Sequence, residues 1–226
     1  MRLILLHGFT GGVRSFAHLG LDAVTPELPG HGSTPDAVSW DAALDSLAPL
    51  LEPAPVRLAG YSMGGRIAVA LALRHPQKVA QLVLASATAG IDDERERAQR
   101  RRDDETLADF IEERGVEAFV DRWEQHPTLA SLRPFAAQLR PERLSHRARG
   151  LASALRHLGA GAQPSLWAEI GRLRMPVRIL AGARDAKFAE IALRLHELIP
   201  QSEMRLLDCG HAPHLEKPDA FTEALR

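Results

Sequence analysis

Cysteine is almost absent from this chain, and lysine nearly so. Cys209 is the single cysteine, so no disulfide can form within the chain, which suits a reducing compartment. Lysine occurs only at Lys78, Lys187 and Lys217; the other 25 basic residues are arginine. There is no excess of either charge: the formal balance is −1, whereas nucleic-acid and membrane-surface proteins usually carry a basic excess. No long apolar run is present. The segment Met1–Leu6 stops at His7-Gly8, too short for a signal-peptide core or a membrane span, so a cytoplasmic protein without a membrane partner is expected. Repeats and low-complexity linkers are missing too. The ten histidines are scattered without metal-ligand spacing and H-E-x-x-H is absent. The Gly-rich run after the first apolar segment lacks the Lys-Ser/Thr of a phosphate loop, so neither metal nor cofactor is expected.

What is present is enough apolar residue, 45% of 226, to build one core and one domain spanning residues 1–226. Short β-like runs alternate with helix-like segments, the pattern of a mostly parallel sheet flanked by helices, an α/β class. Strands are expected at Arg2–Leu6, more weakly at Ala23–Leu28, then at Val56–Ala59, Gln81–Ala85, Val177–Gly182 and Met204–Leu207. Helices are expected at Trp40–Leu51 behind a Ser39 cap, at Gly64–His75 before Pro76, at about Phe188–Leu198, and after Pro218. Between residues 91 and 158 the alternation stops. That stretch is charged and helix-favouring, with helices expected at Asp104–Glu113, Val116–Glu124 and Leu144–Leu158; it reads as a helical cap inserted between core strands.

Gly60-Tyr61-Ser62-Met63-Gly64 matches G-x-S-x-G and continues with Gly65. A strand enters it and a helix leaves it, as a nucleophile elbow requires, which would expose Ser62 at a helix N-terminus where negative charge is favoured. A serine hydroxyl needs a base, and the base a carboxylate to orient it. Asp185 follows the strand Val177–Gly182 and His211 follows the strand Met204–Leu207. Asp208 and His214 are the competing acid and base, but Asp208 shares the histidine's own loop. Amides of Met63 and Phe9, the latter in His7-Gly8-Phe9-Thr10-Gly11-Gly12, are the expected oxyanion donors.

These residues in this order resemble the α/β-hydrolase superfamily across nearly the whole chain. A closer resemblance lies outside them, in Leu28-Pro29-Gly30-His31-Gly32, Gly60–Arg66, Gly182–Phe188, Glu96–Asp104, Trp123 with Ala130-Ser131-Leu132, Arg143-Leu144-Ser145 and Gln163–Trp167. Together they are similar to the menaquinone-pathway 2-succinyl-6-hydroxy-2,4-cyclohexadiene-1-carboxylate synthases. Unlike many α/β-hydrolases, the chain starts almost on the strand before His7-Gly8, so a shorter sheet edge is expected.

The resemblance implies a lyase that eliminates pyruvate, with Ser62, His211 and Asp185 as a base relay and a small polycarboxylate as substrate. It implies substrate contacts from Tyr61, Arg66, Arg100, Trp123 and Arg143. The arginine bias agrees, because arginine forks bind carboxylates bidentately. Arg66 lies one helical turn beyond Ser62, and Arg97, Arg100 and Arg101 fall at helical spacing. Alternatives stay open at this level. Asp92, Asp93, Glu94, Glu96, Asp103, Asp104 and Glu105 would make the same arginines a solvated, salt-bridged helix, Trp123 could be cap core, and His146, Arg147 and Arg149 crowd Arg143. The rival functions are a serine hydrolase of esters, thioesters or carbon–carbon bonds and a non-catalytic hydrolase-fold binding protein. A monomer or small homo-oligomer is expected.

Overall fold

The computed structural model describes residues Met1–Arg226. Five parallel strands form one sheet in sequential order: β1 (Leu3–Leu6), β2 (Val56–Tyr61), β3 (Val79–Ala85), β4 (Val177–Gly182) and β5 (Ser202–Leu207). Helix α1 (Trp40–Leu47) lies between β1 and β2, α2 (Met63–Arg74) between β2 and β3, and α6 (Ala186–Leu198) between β4 and β5. Between β3 and β4 run α3 (Glu94–Trp123), α4 (Ala136–Leu144) and α5 (Ala148–Leu158); α7 (Pro213–Glu216) and α8 (Pro218–Ala224) follow β5.

Alternation along the strands divides the core. Ile4, Leu6, Leu58, Leu82, Leu84, Val177 and Ile179 face one side, packed under α1, α2 and α6. Leu3, Leu5, Ala59, Val83, Ala85 and Leu180 face the other, against Phe16 and, from the C-terminal end, Phe221, Ala224 and Leu225. Residues of β1 are buried on both faces, which is why the run reads as continuous hydrophobicity. The helical insertion has a small core of its own: Ala108, Ile111, Phe119 and Val120 of α3 against Leu151, Ala152 and Leu155 of α5, with Phe9 packed on it from the loop after β1.

The structure alters several sequence expectations. Ala23–Leu28 is not a strand; only Val24 bridges β1, through Leu5 N–H to Val24 O and Val24 N–H to Leu3 O. Pro26 and Pro29 lack the N–H groups that would extend the ladder. Helix α1 has the expected cap, Ser39 Oγ accepting from Ala42 N–H at 3.1 Å, but turns 3-10 over Ala48–Leu51 where Pro49 cannot donate. Helix α3 starts well before Asp104, because Asp93 caps it by accepting from Glu96 N–H. Its break falls at Gly115 (φ 80°), a conformation open to glycine. The expected helix Leu144–Leu158 is divided at Ser145–Arg147 between α4 and α5, and 3-10 turns over Pro127–Phe135 precede α4.

Five histidines are buried, and four of them, His7, His31, His146 and His214, are shifted by it. Burial disfavours the imidazolium and holds His7 down to about 4, His214 to about 3, His31 well below the ordinary value of 6.5, and lowers His146 as well. The native state thus keeps them neutral while the unfolded chain takes up protons below about pH 6.5. Their contribution to stability is complete above that pH and is lost as pH falls toward 4, by about 1.4 kcal/mol per pH unit for each neutral ring. Urea titrations should therefore show a steep loss of folding free energy between pH 6.5 and 4.5. His214 Nδ1 has no hydrogen-bond partner and the ring packs among Tyr61, Phe16 and Phe221, so His214→Phe should fold and show a slope shallower by about one proton. Equal slopes in the two proteins would contradict a neutral, buried His214.

Candidate active site

Ser62 occupies the turn from β2 into α2 with φ 52° and ψ −112°, outside the regions open to L-residues at low cost, a strain of about 1–3 kcal/mol. The helix must pass close to the sheet for this turn to close. A Cβ on Gly64 would collide with Leu6 O, and one on Gly60 with Gly64 O, so only glycine fits either place. Ser62 N–H donates to Ala85 O (2.9 Å), and Arg66 N–H donates to Ser62 O (3.1 Å), fixing the turn from both sides.

The loops after β4 and β5 reach the serine. Ser62 Oγ donates to His211 Nε2 (3.2 Å), and His211 Nδ1 donates to Asp185 Oδ2 (2.6 Å). Asp185 also caps α6, its Oδ1 accepting from Phe188 N–H (3.4 Å). This leaves His211 Nε2 as the acceptor, the tautomer a base toward a hydroxyl must have. Of the rival groups, Asp208 is 79% exposed and paired with Arg184, and His214 packs 4.4 Å from the Tyr61 ring without contacting Ser62. Glu216 carries no motif that would mark it. Its carboxylate accepts from Gly210 N–H (2.8 Å) and Ala212 N–H (3.2 Å), the two amides flanking His211, and from Ser131 Oγ (3.0 Å) in the insertion.

Met63 opens α2, so its N–H has no acceptor within the helix, and Phe9 N–H bonds to no protein acceptor. The loop carrying Phe9 passes close to the serine: a Cβ on Gly8 would stand 3.5 Å from Ser62 Cβ and 2.8 Å from Tyr61 Cε1. Two free amides beside a hydroxyl that can pass its proton to an imidazole make a site able to hold negative charge on oxygen while a proton moves.

Of the five residues expected to bind substrate, Tyr61 and Trp123 contact this centre, and the three arginines are held by partners of their own. Trp123 packs edge-on to Phe9 (5.5 Å) and stacks with Phe119 (5.7 Å), so it joins the insertion core to the loop after β1. The Tyr61 ring lies 5.5 Å from that of His211, and burial raises its hydroxyl well above the usual tyrosine range while the Arg143 charge opposes this. Arg143 is buried, donating to Glu124 Oε1 (3.1 Å), and both residues line a cavity of about 230 Å³ with Leu129, Leu132 and Arg133. Arg66 is buried with its guanidinium against α5, donating to Gln163 Oε1 (3.0 Å) and Leu158 O (2.7 Å). Burial, with the nearby Arg100 charge, pushes it down to about 9. Arg100 pairs with Asp104 (2.8 Å) yet stays 44% exposed. Arg97 instead approaches Glu94, and Arg101 reaches Gly161 O, so neither joins Arg100.

His126 was not anticipated. It follows Trp123, their rings 5.6 Å apart, and its basicity is lowered first by burial and then by the charges of Arg100 and His211. Arg66 and Arg100 therefore place two positive charges in one region, which the Asp104 carboxylate partly offsets. Asp104 Oδ2 and Gln163 Nε2, both buried there, have no hydrogen-bond partner.

The alpha/beta hydrolase family model matches residues 3–224. A protein of Bacillus subtilis (strain 168) with the provisional name 2-succinyl-6-hydroxy-2,4-cyclohexadiene-1-carboxylate synthase is 36% identical over 97% of this chain and 86% of its own. The Salmonella agona (strain SL483) protein of that name is 32% identical over 99% and 91%. An Aromatoleum aromaticum pimeloyl-acyl-carrier-protein methyl ester esterase is 34% identical over 96% and 93%. Among solved structures, MenH from S. aureus superposes with a TM-score of 0.92 at 33% identity, covering 99% of this chain and 91% of that one. The chain belongs to the alpha/beta hydrolase family.

Proposed function

We propose that this protein is a carbon–oxygen lyase of menaquinone biosynthesis. It eliminates pyruvate from 2-succinyl-5-enolpyruvyl-6-hydroxy-3-cyclohexene-1-carboxylate to give 2-succinyl-6-hydroxy-2,4-cyclohexadiene-1-carboxylate. The observation that carries this reading is likeness over the full length, insertion included, to relatives named for that synthase. The paired charges of Arg66, which lies on the helix that Ser62 opens, and Arg100 support it, since the substrate bears three carboxylates.

The names of substrate and product define the electron flow. The ring C2–H, adjacent to the succinyl ketone, is lost as a proton and its bonding pair forms C2=C3; the C3=C4 pair moves to C4=C5; the C5–O pair leaves with enolpyruvate, which takes up a proton at its methylene carbon to become pyruvate. Ser62 Oγ takes the C2 proton as His211 Nε2 accepts the proton of the serine, and Asp185 stabilises the imidazolium. The Phe9 and Met63 amides hold the ketone oxygen as it gains enolate charge. Residues 91–158 act as the cap over this centre, with Trp123 and Tyr61 bounding the ring and Arg66, Arg100 and Arg143 facing carboxylates. No helix is long and apolar enough to cross a membrane.

The same three residues could also acylate, and one relative is named an esterase. The discriminating measurement is pyruvate release from the pathway intermediate against hydrolysis of a p-nitrophenyl ester. Ser62→Ala and His211→Ala should each lower pyruvate release by at least about 10³-fold, and together hardly more, because they act as a unit. Mass spectrometry of the quenched reaction should find no substrate fragment on Ser62. An accumulating adduct there would replace the lyase with a hydrolase.

The arginines give an independent prediction. A charge-assisted carboxylate contact is worth about 1.5–3 kcal/mol, roughly 10- to 150-fold in kcat/KM, whereas a surface pair contributes about 0–1 kcal/mol to stability. Arg100→Ala and Arg143→Ala should lower kcat/KM more than about tenfold, and Arg100→Lys should restore only part. Arg66→Ala should do the same and also lower Tm, because it removes two buried hydrogen bonds. The exposed Arg95→Ala and Arg114→Ala should change kcat/KM less than about threefold. Candidate arginines that behave like these two would remove the polycarboxylate substrate.

A further inference from the structure

Three buried imidazoles converge on the loop that carries the Phe9 amide. His7 stands at the end of β1, His31 in the turn Pro29–Gly32, and His146 between α4 and α5 in the insertion. Their rings contact in series, His7 to His31 at 4.9 Å and His31 to His146 at 5.3 Å, each pair edge to face. All six ring nitrogens have a backbone partner. His7 Nδ1 donates to Gly8 O (2.8 Å) and its Nε2 accepts from Leu28 N–H (3.1 Å). His31 Nδ1 donates to Pro29 O (3.2 Å) and its Nε2 accepts from Thr10 N–H (3.4 Å). His146 Nε2 donates to Thr10 O (3.1 Å) and its Nδ1 accepts from Gly32 N–H (2.9 Å). One nitrogen of each ring accepts an N–H, so each ring is neutral and its tautomer is set.

Two of these bonds bear on the chemistry. Gly8 O belongs to the peptide unit whose N–H is that of Phe9. In a trans peptide the two point opposite ways, so holding the carbonyl on one side turns the amide to the other, and a bond to the carbonyl polarises the N–H. Thr10, with φ 67°, is a non-glycine residue in the left-handed region, and both its backbone groups are taken by imidazoles. We propose that His7 and His146 are positioning residues for the oxyanion donor: His7 aims the Phe9 amide through Gly8 O, and His146 ties the loop, through Thr10 O, to the insertion. Any movement of the insertion is thereby passed to the donor. This inference rests on the reading of Ser62 as the reactive hydroxyl and Phe9 N–H as an oxyanion donor.

Carboxamides can keep one ring nitrogen's bond and lose the other's. At residue 7, asparagine places its amide near Nδ1 and keeps the bond to Gly8 O, while glutamine reaches only toward Leu28. At residue 146 the order reverses: glutamine reaches Thr10 O, asparagine only Gly32 N–H. The probe is a fluorophosphonate, whose reaction at Ser62 develops charge on a phosphonyl oxygen whatever the native substrate; intact mass gives kinact and Ki separately. His7→Gln and His146→Asn should lower kinact about tenfold or more with Ki unchanged, less than the 10²–10³ typical of deleting a donor. His7→Asn and His146→Gln should stay within about threefold of wild type. Tm of each variant accompanies the kinetics, and either pair suffices should the other not fold. A purely structural role would move all four alike, or Ki in place of kinact, and either result overturns the proposal. Labelling of wild type with no difference among variants removes the brace alone; failure of wild type to label Ser62 removes the reactive serine, and the brace with it.

Discussion

The backbone at Ser62 is the constraint from which the rest of the centre follows. A residue at φ 52° between a strand and a helix persists only if both are held hard against each other, and glycine at 60 and 64 permits that approach. Once the turn closes, the first amide of α2 is left without a helical partner and the hydroxyl faces the ends of β4 and β5. The Ser62–His211–Asp185 hydrogen bonds then require only that the loops after these strands be short and held, which Glu216 and the Asp185 cap accomplish.

Charge around the centre is deliberately out of balance. Arg66 is buried with no carboxylate bonded to it; its partners are an amide and a carbonyl, and Arg100 adds a second positive charge nearby. Burying a cation this way costs free energy, and its lowered basicity expresses that cost, although a value of about 9 keeps it protonated at neutral pH. A lysine would lose its proton more readily when buried and could not span Gln163 and Leu158 with a planar fork. The scarcity of lysine, uninformative as composition, acquires a physical reason at this position.

The insertion is tied to the loops around the centre. Trp123 meets Phe9, Ser131 meets Glu216 behind His211, and His146 holds Thr10. Each joins a residue after β3 to a loop at the strand ends, so the geometry around Ser62 depends on how the insertion packs.

Some of this was legible in the sequence. Ser62, Asp185 and His211 could be chosen because elbow, acid and base each follow a strand that hydrophobic runs reveal, and local chain stiffness fixes such turns. Strands β1 and β4 and helix α2 were legible because their runs are buried and uniform. The false strand Ala23–Leu28 had suitable residues, but its prolines lack the N–H groups a ladder needs. In the insertion the break at Gly115 falls between the two helices expected there, whereas the start at Glu94 and the division at Ser145–Arg147 were not seen, because caps and not periodicity decide such ends. The pairing of Arg66 with Gln163, of Glu216 with the amides beside His211, and the meeting of His7, His31 and His146 were not legible at all. Arg66 and Gln163 lie 97 positions apart and His7 and His146 139, with nothing local to couple them, and the short Glu216 pairing carries no motif. Periodicity and turn chemistry act over a few residues, so the sequence by itself determined the elements and the order of the reactive groups. Only tertiary packing, which buries polar groups and obliges each to find a partner, decided which of ten histidines and 25 arginines stand at the centre.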